Sequence, residues 1–289
     1  MAKINNYIIN MPQMAVEALS ENWLFKEIGG FHWDLICEGL ETKSFDIKND
    51  TSNRLYATFV RIRIVSDVNL KAFRENEEAR LTGSMSRYGN SMYFSDLEFN
   101  AKNKRISAEL MTTFSIRDDV DNTKLAKSEP ASGINNVPVV KKFPLFGNQY
   151  RLAKKRVLKE LEYEDYKFTI SYDIEPIGKI HYDLNPFYDI NGVNLLYFAA
   201  YPIINDICEG RYMNQLGKKD IEFDMWEDDF STCYKDVFYY ANCNLSDSLS
   251  YELLELKVLD ANTVQLSSNL KRKSDGAIIA KIFSVKTRK

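Results

Sequence analysis

Residues 185–211 read NPFYDINGVNLLYFAAYPIINDICEGR. Polar turn residues (Asn185, Pro186, Asp189, Asn191, Gly192) open the stretch, an apolar run follows from Val193 to Ile207, and Glu209-Gly210 closes it. Asp189 or Asn191 can accept hydrogen bonds from the first N–H groups of a helix, and glycine is the residue on which many helices stop. The stretch therefore predicts a helix over the apolar run, ending at Gly210. The run is apolar on nearly every face, so this helix is expected to be buried under something wide, such as a sheet. The start of a buried helix offers backbone N–H groups to an anion or a developing oxyanion. Gly192, Val193 and Asn194 are the residues placed to supply them, and the glycine lets a ligand approach the backbone closely.

A second copy lies near the N-terminus. ICEG recurs at 36–39 and 207–210, NWLF at 22–25 resembles NLLY at 194–197, and Met11-Pro12 matches Asn185-Pro186. Ser20 before Trp23, Leu24, Phe25 and Ile28 reads as a helix start, and Gly29-Gly30 interrupts the pattern before Trp33, Leu35 and Ile36 resume it. A short strand closed by Pro12 precedes this helix. Strands follow it: LYATFVRIRI at 55–64, two around a Tyr88-Gly89-Asn90 turn, and RISAELMTTFSIRD at 105–118. The later copy repeats the plan with CYKDVFYYANC at 233–243, turns at Asp260-Ala261-Asn262 and Asp275-Gly276, and AIIAKIFSVKT at 277–287, where IFSVK echoes TFSIR. Strict alternation along 55–64 puts Tyr56, Thr58, Val60, Ile62 and Ile64 on one face, and Leu55, Ala57, Phe59, Arg61 and Arg63 on the other.

The predicted fold class is α+β: a double hot-dog, two antiparallel curved sheets each wrapped around a long central helix. Residues 1–120 form the N-terminal hot-dog and 166–289 the C-terminal one. Between them, 121–165 reads as a polar linker with a charged surface helix over 150–164.

A formal charge of −3 argues against a general nucleic-acid binder. No signal-peptide pattern and no apolar run of membrane-spanning length is present, so no membrane association is expected. Four cysteines without a CxxC pair, and only two histidines, argue against disulfide and zinc frameworks alike. The expectation is a reduced, cytoplasmic protein with no metal.

SENWLFKEIGGFHWDLI and NPFYDINGVNLLYFAAYPIINDICE resemble a biosynthetic family, the bifunctional acyltransferase/decarboxylases of the leinamycin polyketide type. The resemblance implies a double hot-dog that decarboxylates methylmalonyl-CoA or malonyl-CoA and transfers the resulting propionyl or acetyl group to an acyl carrier protein. The CoA thioester is then substrate, phosphopantetheine comes with the carrier, and no cofactor is bound permanently. A homodimer is left open. Two alternatives stand beside it: a hot-dog thioesterase or hydroxyacyl-thioester dehydratase, and a non-catalytic module that binds acyl groups or the acyl carrier protein. Dehydratases of this fold pair a histidine with a carboxylate at a helix start, and neither histidine here precedes the second helix in that way.

The family's catalytic tyrosine follows the first central helix, and Tyr56 is the matching position; it is equally readable as a core aromatic. His32, between Phe31 and Trp33, is an acid/base candidate or a packed histidine. Asn22 and Asn194 occupy equivalent places in the two copies, as caps or as contacts to a thioester carbonyl. Asn191 and Asp189 are cap candidates. Cys37 and Cys208 read as core. Lys141-Lys142 and Lys154-Lys155-Arg156 form a solvated face, or meet the phosphates of CoA or an acidic carrier.

Overall fold

The computed structural model describes residues 3–118, 120–216 and 221–288. The chain forms two compact units, 1–142 and 143–289. In the first, β1 (Lys3–Ile8) leads through a short hairpin, β2 (Met14–Ala15) and β3 (Ala18–Leu19), into helix α1 (Glu21–Gly39). Ser20 caps α1, its Oγ accepting from the Trp23 N–H at 3.3 Å. The helix runs unbroken through Gly29-Gly30 and buries Leu24, Phe25, Ile28, Phe31, Leu35 and Ile36. After it come β4 (Tyr56–Ser66), β5 (Glu78–Tyr88), β6 (Met92–Ala101), β7 (Lys104–Arg117) and β8 (Leu125–Lys127). All pairings among them are antiparallel, in the order β1-β5-β6-β7-β4, with β8 added to β7. The helix α1 packs on β5, β6 and β7.

The second unit begins with α2 (Leu145–Lys154) and a hairpin, β9 (Glu160–Tyr163) and β10 (Tyr166–Thr169). The first unit's plan then returns. Strand β11 (Gly178–Asp183) precedes α3 (Ala200–Leu216), a short helical turn α4 (Trp226–Asp229), and β12 (Phe230–Tyr239), β13 (Ser248–Asp260), β14 (Thr263–Arg272) and β15 (Ile278–Arg288). The order is β11-β13-β14-β15-β12, all antiparallel. Each unit is therefore strand, central helix and four strands paired alike, the hot-dog arrangement predicted for both copies.

Five expectations need correction. The second central helix starts at Ala200, not Val193, and runs past Gly210 to Leu216. Pro202 explains the start, because within the first turn its missing N–H costs nothing, whereas in the interior of a longer helix it would cost roughly 3 kcal/mol. Gly210 does not stop the helix; a Cβ there would overlap the Glu227 carboxylate.

Residues 121–142 are no free linker. Val137 is buried, the Asn136 N–H donates to the Gly39 carbonyl at 2.8 Å, and Arg87 Nε donates to the Val137 carbonyl at 3.1 Å. Nor is 150–164 one charged helix. The helix α2 buries Phe146, Gly147, Tyr150 and Ala153, and the chain beyond it turns into β9. Tyr150 stacks on Phe238 and Tyr240, and its hydroxyl donates to the Tyr239 carbonyl at 2.8 Å.

Alternation along β4 breaks at a bulge between Phe59 and Arg61. Phe59 pairs with Thr112, on the α1 side, but Arg61 pairs with Met111 and Arg63 with Glu109, on the other side. Arg61 and Arg63 therefore share the face of Tyr56 and Thr58, because one extra residue reverses the side-chain parity. The echo between TFSIR and IFSVK is also out of phase. Phe114 faces α1's side of its sheet, while Phe283 turns away from α3 onto Phe168.

Candidate active site

Three of the predicted site residues lie in the first unit and the other five in the second. In the first unit, His32 lies at the middle of α1 with no exposed surface. Its Nδ1 lies 2.7 Å from Ser95 Oγ, its Nε2 2.8 Å from Thr112 Oγ1, and the Phe59 ring packs at 5.4 Å. Burial drives its pKa down to about 3. The imidazole is a neutral, fully bonded core group, and this geometry does not present it to a substrate as an acid or base. Asn22 is half-buried in the first turn of α1, where Ser20 already makes the cap. Tyr56 is half-buried at the start of β4, with the Arg54 guanidinium 4.8 Å from its ring centroid and 4.5 Å from that of Phe45.

The residues expected at the second helix's start belong instead to the loop before it. Asn191 Oδ1 accepts from the N–H groups of Val193 and Leu195, both at 3.0 Å. The Asn191 carbonyl accepts from the Asn194 N–H at 3.0 Å, and Asn194 has φ of 59°. Leu196 N donates to Asn242 Oδ1 at 2.9 Å. The N–H groups of Val193 and Asn194 are thus taken up by the loop, and Gly192 faces open space. Asp189 is buried, its Oδ2 accepting from the Asn185 N–H at 2.7 Å and the Tyr182 hydroxyl at 3.1 Å. Burial raises its pKa against those two donors. These are loop-building roles, and the stretch offers no preorganised helix start to an oxyanion.

What the sequence reading passed over lies on α3 itself. Asp206 and Glu209 sit on the helix face that meets β12 and β15. Lys235 Nζ, which is wholly buried, lies 2.7 Å from each Asp206 carboxylate oxygen. Lys286 Nζ lies 3.0 Å from Asp206 Oδ1 and 2.6 Å from Glu209 Oε1. Trp226 Nε1 donates to Glu209 Oε1 at 2.8 Å. Asn205 joins Glu209 Oε2 at 3.4 Å, and its Oδ1 accepts from Ser268 Oγ at 2.5 Å.

Two ammoniums thus face two carboxylates, a balance that buried charge requires. Glu209 is buried, but 20% of the Asp206 side chain remains exposed. Burial opposes ionisation of Asp206; Lys235 and Lys286 outweigh it and hold the carboxyl well below the usual range. The result is a partly accessible carboxylate whose ionised form is favoured, in the middle of a central helix, with two cations directly behind it.

Register shows how far the two units have diverged around this point. Ser95 pairs with Leu110 and Phe59 with Thr112 in the first, as Ser268 pairs with Ile282 and Lys235 with Ser284 in the second. The first unit therefore has Phe59 beside a neutral His32 where the second has Lys235 beside an ionised Asp206. Among the described residues, no three His, Cys, Asp or Glu side chains cluster as metal ligands do, and no helix is long and apolar enough to cross a membrane.

Comparison with solved structures bears on the whole chain. A 12:0-ACP thioesterase from Umbellularia californica superposes with a TM-score of 0.60 at 9% identity, covering 100% of this chain and 98% of that one. The likeness is one of fold. An acyl-ACP thioesterase from Bacteroides thetaiotaomicron gives 0.58 at 12% identity, covering 99% and 97%. A Lactobacillus plantarum protein assigned as an oleoyl thioesterase gives 0.66 at 9% identity, covering 100% and 96%. No family model and no curated protein matches the sequence. These three structures, thioesterases by name, resemble this chain end to end in fold alone, and the leinamycin-type resemblance rests on the sequence stretches alone.

Proposed function

We propose that the protein is an enzyme of acyl-thioester chemistry and that its first reaction is hydrolysis of an acyl-CoA or acyl-carrier-protein thioester. The observation that carries this reading is Asp206. Hydrolysis needs an acceptor that orients a water beside the thioester carbonyl, and positive charge near the oxygen on which negative charge develops. Asp206 supplies the acceptor. Lys235 and Lys286 supply the charge, held in place before substrate arrives. A carboxylate so strongly paired is a weak base, so its part is to align the water and to share its proton as the C–O bond forms and the C–S bond breaks. The end-to-end likeness to acyl-ACP thioesterases supports the substrate class.

Decarboxylative acyl transfer is the second reading, favoured by the sequence resemblance and by the Arg54 guanidinium over the Tyr56 ring. Here a (methyl)malonyl thioester loses CO2, the enolate is protonated, and the acyl group passes to the thiol of a carrier protein. Arg54 would meet the substrate carboxylate, and Tyr56 would either donate the proton that the enolate carbon takes up or accept the acyl group on its hydroxyl before it passes to the carrier thiol.

One experiment separates them. The protein is incubated with a panel of acyl-CoAs, with acyl carrier protein, and with methylmalonyl-CoA plus holo carrier protein, and thiol release and intact carrier mass are followed. Release of free thiol and free acid, lost in Asp206→Asn, supports hydrolysis. A propionyl adduct on the carrier supports transfer. No turnover of any thioester overturns both.

A further inference from the structure

Lys281 on β15 lacks the partner that a buried ammonium normally has. The residue is 2% exposed, yet its Nζ donates to the Ser171 carbonyl at 3.1 Å and faces the Tyr172 ring at 5.5 Å. No carboxylate among the described residues offsets its charge, and burial, followed by the like charges of Arg156 and Lys271, pushes its pKa down to about 8. Buried cations are otherwise paired, because removing an ion from water costs several kcal/mol.

Two more cations converge on the same ring. The Arg156 guanidinium lies 5.4 Å from the Tyr172 centroid and Lys159 Nζ 5.7 Å. The ring is fixed, its hydroxyl donating to the Leu158 carbonyl at 2.8 Å, and the Ile170 N–H ties the two segments together through the Lys159 carbonyl at 2.7 Å. Arg156 itself takes a left-handed φ of 60°, which an L-residue adopts at a cost of roughly 1 kcal/mol.

A groove of about 440 Å³ opens at this point, and Arg156, Lys159, Ser171 and Tyr172 line it. Its wall holds two carboxylates. Glu160 is engaged by Lys167 at 2.7 Å, and Asp173, 86% exposed at its side chain, pairs with Arg156. Of these three cations only Arg156 pairs with a carboxylate among the described residues, and that carboxylate, Asp173, is exposed enough for a stronger anion to displace it.

We propose that this groove binds a phosphate-type oxyanion, with Arg156 and Lys159 as direct ligands and Lys281 as a fixed charge behind the wall. The fork of an arginine matches two phosphate oxygens, the lysine adds a movable donor, and the Ser171 hydroxyl can complete the shell. A free diphosphate and a nucleotide-borne diphosphate carry the same group. The inference does not depend on the thioester reading, because Asp206 lies on α3 and the groove is formed by residues 156–173.

The test is calorimetric titration of the full-length chain with pyrophosphate and with coenzyme A, at constant ionic strength set by KCl. Saturable binding is expected, at least tenfold weaker in Arg156→Ala and in Lys159→Ala. Asp173→Asn is expected to bind severalfold more tightly, since it removes the competing carboxylate; all three side chains are exposed, so the fold is not at risk. Coenzyme A binding more tightly than pyrophosphate identifies a nucleotide as the source, and the reverse identifies the free anion. Absence of saturable binding by either, or affinity unchanged in Lys159→Ala and Asp173→Asn, overturns the proposal. Binding that persists in a protein without thioester turnover would sink the functional reading alone.

Discussion

Lys235 Nζ contacts both carboxylate oxygens of Asp206 at 2.7 Å, and nothing of Lys235 reaches solvent. The ammonium can be buried only because that carboxylate is ionised, and the carboxylate stays ionised because Lys235 and Lys286 stand against it. Structure and proposed chemistry thus share one pair. Asp206→Asn keeps the shape of the side chain but leaves Lys235 without its counter-charge. The expected cost is about 3–5 kcal/mol in urea or thermal unfolding, the range for breaking a buried pair from one side. Thioester hydrolysis should fall by at least about a hundredfold, the lower end of what removal of a positioned acid/base costs. The double substitution Asp206→Leu/Lys235→Met separates the two effects, because it should recover much of the stability and none of the activity.

Much of this architecture was legible in the sequence, for physical reasons that can be named. The strands alternate, their turns carry Gly89 and Gly276 at positive φ, and Ser20 is a good cap, so β5, β6, β14, β15 and the start of α1 lie close to where pattern places them. The duplicated ICEG led to the correct inference that the two units share a plan. It misled on register, since ICEG ends α1 but sits in the middle of α3. Pro202 was the signal for the true helix start, and the apolar run around it masked that signal. The bulge in β4 left no mark in composition, so the placement of Arg61 and Arg63 needed the backbone. The active-site candidates were missed for a different reason. Asp206 and Glu209 three residues apart within an apolar helix, and Lys235 within an aromatic strand, are each unusual. Only the pairing of β12 with β15 brings Lys235 and Lys286 to one carboxylate.

The segment 121–142 is held to the first unit by a close approach that can be tested directly. A Cβ at Gly39 would overlap Val137 Cγ2. Gly39→Ala should therefore cost about 1–3 kcal/mol by overpacking, despite the alanine's better helix propensity. Val137→Ala opens the space, so the double variant should be more stable than the two single costs predict. A double-mutant cycle on unfolding free energy reads this coupling, and strict additivity would show that the contact carries no weight.

Tyr56 is the residue on which the second functional reading turns. Tyr56→Phe keeps the ring under the Arg54 guanidinium and removes only the hydroxyl, so stability should change by less than about 1 kcal/mol. If acyl transfer uses this hydroxyl, propionyl loading of the carrier is lost while thiol release from simple acyl-CoAs is unaffected. Full loading by the variant would restrict Tyr56 to a platform for Arg54.

His32 gives the molecule a dependence of stability on acid that has a definite sign. Its folded-state pKa is about 3 because burial penalises the imidazolium, whereas an unfolded histidine titrates near ~6.5. Between those values the unfolded chain holds a proton that the folded chain does not, so unfolding becomes easier as pH falls. The contribution is fully present above the unfolded pKa and declines toward pH 3, by at most about 1.4 kcal/mol per pH unit. His32→Asn removes the titrating group while retaining a side chain that can bond Ser95 or Thr112. The variant should be less stable than the wild type at pH 7, with a flatter stability profile between pH 6.5 and 4. Urea midpoints across that range measure both. Parallel profiles would mean that the histidine is already protonated in the folded state, with Ser95 and Thr112 both accepting from it, and would remove the neutral-core assignment.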